Sequence, residues 1–185
     1  ARVKLANPEH EIPGDRDTRL KDPMANMPWN GYSPSADLTR PIVYVNYGNA
    51  EDYDQLEKLG ISVQDKIVLA RYFRGYRGGK SLEAERRGVA GMIVFSDPAD
   101  DGAPRGAVYP NGPWGPLGHF QRGAVVYDFI TPGDPLTPGW ASTESAKRLE
   151  EREAKILPKI PMVPLSGADA QEILKHLDGP EAPKE

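Results

Sequence analysis

A basic, glycine-rich segment carries the most suggestive chemistry in the sequence. The segment Gly75–Ser81 reads Gly-Tyr-Arg-Gly-Gly-Lys-Ser and stands between a predicted strand and a predicted helix, where a phosphate-binding loop would occur. Its Gly-Lys-Ser ending matches that motif. However, the motif also requires glycine at position 74, and the sequence has Arg74 there. The spacing therefore argues against nucleotide binding.

Basic side chains are densest around the same segment. They belong to Arg71, Arg74, Arg77, Lys80, Arg86 and Arg87. One interpretation is a solvated helix face whose cations form ion pairs. The other is that one arginine, held on a glycine-hinged loop at a helix N-terminus, binds a carboxylate or another anion. Guanidinium groups bind carboxylates through two parallel hydrogen bonds, and helix N-termini favour negative charge, so the residues allow both interpretations.

The residue types that usually catalyse hydrolysis do not form recognisable catalytic motifs in this sequence. The three histidines, His10, His119 and His176, lack the spacing of paired zinc ligands, and each is expected to be structural. No serine occupies a Gly-x-Ser-x-Gly motif, and the absence of cysteine excludes a thiol nucleophile and a thiolate metal site. We therefore expect no catalysis by this chain alone.

The composition indicates one globular domain with many turns. Hydrophobic residues make up 38% of the 185 residues, while 19 glycines and 19 prolines argue against a helix bundle. The net charge of -4 argues against a general nucleic-acid binder. No apolar stretch approaches the ~18 residues of a membrane span. Cysteine usage leaves the cellular compartment open.

A strand–helix–strand unit is expected to position the basic segment. Ile67–Tyr72 predicts a strand, and Lys80–Arg87 predicts a helix that Gly88 ends. Gly91–Phe95 is almost purely apolar and predicts a central strand covered on both faces. This order within about thirty residues is typical of a βαβ unit. Upstream, the sequence predicts a strand over Ile42–Tyr47 and a helix over Glu51–Leu59 capped by Asn49.

The second half of the sequence alternates loops with short elements. A loop is predicted over Asp97–Gly123, a strand over Ala124–Ile130, an edge strand over Pro158–Leu165 and a helix over Ser166–Leu177. Ser142–Leu157 has the composition of a solvated helix or of an exposed connection. Together the elements predict a mixed α/β domain with short strands and few helices.

Two long segments are expected to lack regular structure. Residues 1–40 are proline-rich and predict an extended arm that lies on this domain or on a neighbouring one. The loop Asp97–Gly123 is long enough that a function or a partner is expected. Its acids Asp97, Asp100 and Asp101 lack the spacing of a calcium-binding EF-hand and are interpreted as turn residues.

Several strings of residues resemble one known family. They are Lys66–Tyr72, Arg77-Gly78, Ser96-Asp97-Pro98-Ala99-Asp100, Gln121-Arg122-Gly123 and Gly133-Asp134-Pro135-Leu136-Thr137-Pro138-Gly139. These strings resemble the protease-associated (PA) domain of the glutamate carboxypeptidase II and transferrin receptor group, in the M28-type zinc peptidase family. The likeness extends from about residue 31 to about residue 177. It implies an α/β (α+β) fold with a central mixed β-sheet or open β-sandwich, a few flanking helices and long loops. The PA domain would cover residues 41–185.

The resemblance also implies a role for Arg77. In that family an arginine after the second strand's basic loop binds a substrate carboxylate, and Arg77 is the matching residue. An asparagine in the long loop assists it in glutamate-specific members. The matching position here is Gly115, which departs from that pattern and leaves the substrate preference open.

Metal ions are implied for the parent protein rather than for this chain alone. The family holds two zinc ions in a separate peptidase domain of the same chain. It also holds a structural calcium ion between the domains, where Thr137 and Trp140 match the contributors from the PA side, Trp140 through its backbone carbonyl. The implied partners are therefore the peptidase domain and a peptide with a terminal carboxylate, in a homodimeric parent. Such parents occur outside the cytoplasm or anchored to membranes, although the residues do not determine the compartment.

Two classes of function follow from the sequence. The first is a non-catalytic PA domain that forms part of the substrate pocket and lid of a glutamate-carboxypeptidase-like zinc exopeptidase. The second is a receptor-type module that binds a protein or peptide without peptidase activity, as in transferrin receptors.

Overall fold

The computed structural model describes residues 4–5, 7–9, 11–14, 22, 24 and 26–183. His10 and part of the predicted arm 1–40 lie outside the described residues. The chain forms two compact units. The first, called the sheet unit below, comprises Trp29–Val94 and Arg122–Pro164. The second, called the loop unit, comprises Ala1–Pro28, Phe95–Gln121 and Leu165–Glu185.

Short strands and helices alternate along the described part of the chain. The strands are β1 (Asn30–Gly31), β2 (Ile42–Tyr44), β3 (Ile67–Arg71), β4 (Gly91–Phe95), β5 (Gly123–Ala124) and β6 (Met162–Leu165). The α-helices are α1 (Ala50–Lys58), α2 (Arg77–Arg86) and α3 (Gly167–Leu174). The predicted α/β fold class with few helices and long loops is thereby confirmed. No helix among these described residues is long and apolar enough to cross a membrane.

A four-stranded sheet in the order β2-β3-β4-β6 organises the sheet unit. Strands β2 and β3 are parallel, with Ile42 opposite Ile67. Val68 and Leu69 of β3 are fully buried, as expected for a central strand. Strand β4 has the predicted bounds, and β6 lies at the sheet edge, where its one proline, Pro164, costs no ladder hydrogen bond. Strand β2 is shorter than predicted because Asn46 adopts a left-handed conformation with φ of 50°.

The helices begin where local capping allows. At the Asn49 cap of α1 the backbone N–H of Asn49 donates to Asp52 Oδ2 at 2.9 Å, and the helix ends just before Gly60, whose φ is 72°. Ser166 caps α3 by accepting a hydrogen bond from the Asp169 backbone N–H at 3.1 Å. Both starts agree with the sequence prediction to within one residue. Helix α3 ends at Leu174, three residues earlier than predicted.

Helix α2 begins three residues earlier than predicted, at Arg77. The sequence favoured a loop there because glycine has a low helix propensity. Tertiary packing overrides that propensity at Gly78. A Cβ atom on Gly78 would lie 2.6 Å from the Tyr76 ring and 2.8 Å from the Val126 carbonyl oxygen. Glycine therefore lets the helix start come close to the 124–127 segment.

One prediction for the second half needs correction. The strand predicted over Ala124–Ile130 is wrong, since only Gly123–Ala124 pairs with a neighbour, the parallel strand β1. Val125 and Tyr127 are buried in the core. Hydrophobic side chains at these buried positions give the segment the residue pattern of a strand. Of the two alternatives for residues 142–157, the structure has the connection rather than the helix: it contains one 3-10 turn at Glu151–Glu153 and is mostly exposed, with Ala154 and Ile156 buried.

In the loop unit, described residues of the predicted arm bind this chain. The Asn7 side-chain amide donates to Asp169 Oδ1 at 2.7 Å, and its backbone N–H donates to Oδ2 at 3.2 Å. Glu9 Oε1 accepts from the Phe120 backbone N–H at 3.1 Å. These residues therefore have partners within the chain itself.

Candidate functional site: an arginine at the start of helix α2

Arg77 is the first residue of α2, at a helix start that favours an anion. The first four N–H groups of a helix have no partner inside it, and the helix dipole places partial positive charge at that end. The capping residue Tyr76 makes no side-chain capping bond, and the first turn contains no acidic residue. Arg77 and Lys80 instead add cations where helices usually place acids. This arrangement opposes helix stability and strengthens the local attraction for an anion.

The Arg77 side chain is confined by Gly123. A Cβ atom on Gly123 would overlap Nη1 of Arg77, so the guanidinium occupies the space that a side chain at position 123 would need. The Arg77 Cζ atom also lies 5.7 Å from the centroid of the Tyr72 ring. The guanidinium is thus held between strand β5 and the residue that follows strand β3.

Tyr72 and Asn30 complete the surroundings of Arg77. Tyr72 is only 3% exposed, and this burial raises the pKa of its hydroxyl to about 12. The nearby charge of Arg77 and hydrogen bonds from Arg77 and Asn30 oppose the rise. Asn30, on β1, also donates to the Met162 carbonyl oxygen at 3.2 Å. A neutral tyrosine therefore helps to orient the guanidinium at physiological pH.

Of the other arginines in the basic segment, two form ion pairs and two lie over an aromatic ring. Arg87 forms ion pairs with Glu83 at 3.0 Å and Asp54 at 2.7 Å, and Arg86 is 3.9 Å from Glu83. These two residues match the ion-pair interpretation. Arg71 and Arg74 instead lie over the buried Tyr47 ring, with Cζ atoms 4.0 and 4.7 Å from its centroid.

An aromatic groove lies at the same end of α2. Tyr76, Gly79, Asp128 and Phe129 line a groove of about 440 Å³. The Tyr76 and Phe129 rings meet edge to face, with centroids 6.0 Å apart. The Tyr76 hydroxyl donates to the Ala124 carbonyl oxygen at 3.1 Å, and partial burial, followed by the charge of Asp128, raises its pKa. The groove therefore offers an apolar surface one residue away from Arg77 in sequence.

In the loop unit, Gly115 and His119 belong together. The His119 ring occupies the space above Gly115, where an added Cβ atom would overlap it. Asp101 accepts from the Gly115 backbone N–H at 3.0 Å and contacts His119 Nε2 at 3.0 Å. His119 Nδ1 lies 2.5 Å from the Pro116 carbonyl oxygen. The departure at Gly115 therefore has a steric reason, and the structural interpretation of His119 fits its contacts. His176 is exposed at the end of α3.

The turn at Thr137–Trp140 has one feature that suits a cation. Thr137 is 3% exposed, and its hydroxyl oxygen has no hydrogen-bond partner among the described residues. The Asp134 carboxylate is already engaged by Ser142 at 2.6 Å and by Arg148 at 2.7 Å. The described residues contain no group of three or more His, Cys, Asp or Glu side chains that could hold a metal ion. A calcium ion at Thr137 would therefore need acidic ligands from elsewhere.

Sequence reasoning identified Arg77 but missed the residues that hold it. Asn30, Tyr72 and Gly123 come from separate parts of the chain, and no local pattern connects them. One signal was available in the sequence. The segment Arg77–Lys80, directly at the predicted helix start, contains two cations and no acid, which violates the usual preference, and such violations are common at functional sites.

Comparison with known proteins identifies the class of domain to which this fold belongs. Residues 38–127 match the PA domain family. A glutamate carboxypeptidase 2 homolog from Caenorhabditis elegans is 36% identical over 87% of this chain. A probable glutamate carboxypeptidase VP8 from Zea mays is 35% identical over 98% of it. The inactive zinc metalloprotease C354.09c from Schizosaccharomyces pombe is 35% identical over 80% of it.

The chain belongs to the PA domain family, within the group that includes glutamate carboxypeptidases and their homologues. It spans about a fifth of the length of these relatives, 21% of the nematode protein and 22% of the maize protein. The relatives therefore contain much more than the region compared.

Proposed function

We propose that this chain is a non-catalytic PA domain that forms part of the substrate pocket and lid of a glutamate-carboxypeptidase-like zinc exopeptidase. Its peptidase domain, elsewhere in the same parent chain, would supply the zinc ligands and the reacting groups. Arg77 would bind a terminal carboxylate of the peptide substrate. The relatives that share most of this chain and bear peptidase names support the proposal.

The observation that carries the proposal is the placement of Arg77. Its guanidinium lies against Gly123 and the Tyr72 hydroxyl, at a helix start without acidic residues. A guanidinium that is oriented before the substrate arrives loses less side-chain entropy on binding. Its planar fork matches the two oxygens of a carboxylate. A peptide carboxylate is thus the ligand that the arrangement fits best.

Peptide hydrolysis by the full-length parent tests the role of Arg77. A charged hydrogen bond contributes about 1.5–3 kcal/mol, so Arg77→Ala should lower kcat/KM for a glutamate-terminated dipeptide roughly 10- to 150-fold. Arg77→Lys should recover only part of the loss because an ammonium lacks the fork. Arg86→Ala is the matched control, since Arg86 lies on the same helix with 65% of its side chain exposed. An Arg77→Ala variant with unchanged kcat/KM would refute the role.

A receptor-type module without peptidase activity is the second candidate. The fission yeast relative that is named inactive favours it. Zinc content and hydrolysis of a peptide panel by the full-length parent distinguish the candidates. A parent without activity that still binds peptides in an Arg77-dependent manner would support the second candidate against the first. Zinc-ligand residues in the parent sequence beyond this chain would support the first.

A further inference from the structure

Lys80 is a buried cation on α2, one helical turn after Arg77. Lys80 is only 1% exposed. Its Nζ atom donates to the carbonyl oxygens of Tyr47 at 2.6 Å, Phe73 at 2.7 Å and Arg74 at 3.4 Å. An ammonium group has three donors, and here each meets a backbone acceptor. Burial of a charge is tolerated only when such bonds replace its hydration, so Lys80 holds these carbonyls tightly.

The carbonyls that Lys80 binds belong to an unusual loop. Phe73 and Arg74 have φ values of 69° and 42°, and Gly75 has a φ of 127°. Left-handed conformations are disfavoured for residues with a Cβ atom and persist only when surrounding contacts hold them. Asn49 adds one further bond, from its side-chain amide to the Arg74 carbonyl oxygen at 2.6 Å. The loop 73–75 leads directly to the start of α2. Its conformation therefore determines where α2 begins and where Arg77 is placed.

We infer that Lys80 is the positioning residue for Arg77. Its ammonium ties the loop 73–75 to Tyr47, three residues after strand β2, which aligns α2 so that the Arg77 guanidinium lies against Gly123. The segment also differs from a phosphate-binding loop in where its lysine points. The Lys80 Nζ atom binds backbone carbonyls in the interior. The inference rests on the proposed carboxylate-binding role of Arg77.

A double-mutant cycle on the full-length parent tests the inference. The change Lys80→Met keeps the length of the side chain and removes its donors. With a glutamate-terminated dipeptide, Lys80→Met should lower kcat/KM by tenfold or more in the wild-type background. In the Arg77→Ala background it should lower kcat/KM less than twofold, because the residue through which it acts is gone. Equal losses in the two backgrounds would overturn the inference. Lys58→Met, an exposed change on α1, is the control.

Native-state proteolysis separates failure of this inference from failure of the proposed function. Trypsin cleaves after Arg74, within the loop that Lys80 holds. Lys80→Met should accelerate cleavage of the Arg74–Gly75 bond at least tenfold, whereas Lys58→Met should leave it unchanged. This readout does not require Arg77 to bind substrate, so an inactive parent or a silent Arg77→Ala change would refute the proposed function alone.

A second variant covers the case in which Lys80→Met does not fold. Lys80→Gln retains an amide donor and should give an intermediate rate of cleavage after Arg74. A rate equal to that of the wild type in a folded Lys80 variant would show that the loop is ordered without the ammonium, and would overturn the inference.

Discussion

Gly123 shows how a single missing side chain can fix the position of a candidate binding residue, Arg77. The Nη1 atom of Arg77 occupies the position that a Cβ atom at residue 123 would take. Nothing about a Gln-Arg-Gly string predicts this contact, which joins the start of α2 to strand β5. Nη1 is at the far end of a flexible side chain, so the fold can accommodate a larger residue at position 123. The guanidinium of Arg77 would then have to move from its present position.

We expect Gly123→Ala to reduce substrate binding without unfolding the protein. The new methyl group displaces the guanidinium, so kcat/KM of the full-length parent for a glutamate-terminated dipeptide should fall nearly as far as in Arg77→Ala. The urea midpoint should change little. Gly79→Ala is the control, because a Cβ atom there meets no atom within 4 Å. Gly79 lies in the first turn of α2, so this change should add no more than the roughly 0.5–1 kcal/mol expected in the middle of a helix. Full activity of Gly123→Ala would contradict the steric account.

At the scale of elements, the turn that follows residue 131 is held by its own polar groups. Asp134 accepts hydrogen bonds from the Ser142 hydroxyl, the Leu136 backbone N–H and the Arg148 guanidinium. These bonds, led by that from Ser142, lower the pKa of Asp134 to about 2. The turn is thus held by three hydrogen bonds to one carboxylate.

The lowered pKa of Asp134 makes the stability contribution of the turn depend on pH. An unfolded aspartate has a pKa of about 3.9, so the contribution of Asp134 is fully present above that pH. It is lost as the pH falls through the folded pKa of about 2. The urea midpoint of Asp134→Asn should therefore lie below that of the wild type at pH 6, and the difference should shrink between pH 4 and pH 2. A constant difference would contradict this assignment. Glu144→Gln, an exposed change in the same connection, is the control.

The same turn allows a test of the proposed calcium contact at Thr137. The hydroxyl is buried without a hydrogen-bond partner among the described residues, so removing it costs the metal-free protein little. We expect Thr137→Val to leave the Tm of the calcium-free full-length parent unchanged or slightly raised. With calcium, the variant should gain less stability than the wild type, since a ligand that binds the folded state stabilises it. Equal calcium-induced shifts in Tm would contradict a ligand role for Thr137.

At the scale of the whole molecule, described arm residues form part of the loop unit. Asp169 is 5% exposed, and Asn7 provides two hydrogen bonds to its carboxylate. A buried carboxylate that loses its donors is costly. Asn7→Ala keeps the backbone N–H but removes the side-chain donor, so we expect the loss of one charged hydrogen bond to lower the free energy of unfolding by about 1.5–3 kcal/mol, measured by urea titration of this chain. Lys4→Ala, an exposed change nearby in sequence, should have little effect. An Asn7→Ala variant as stable as the wild type would show that the side-chain bond from Asn7 is not maintained in solution.

Elements with local signals were predictable from the sequence. Asn49 and Ser166 cap α1 and α3 through bonds to residues only three positions away, so the pattern and the structure coincide. The apolar Gly91–Phe95 strand is recognisable because a buried central strand requires apolar residues throughout. Family-specific strings then indicated the PA domain and, by position, Arg77.

The tertiary structure alone decided how the candidate site is assembled. Helix α2 begins at Arg77 because Gly78 packs on the Val126 carbonyl, which outweighs the low helix propensity of glycine. Lys80 looked like part of a phosphate loop or a solvated face, and its carbonyl partners became visible only in the fold. Such contacts join residues that are distant in the chain and depend on backbone geometry. Residue types and spacing therefore determined the family and indicated Arg77 as the candidate binding residue, while packing determined what holds Arg77 in place.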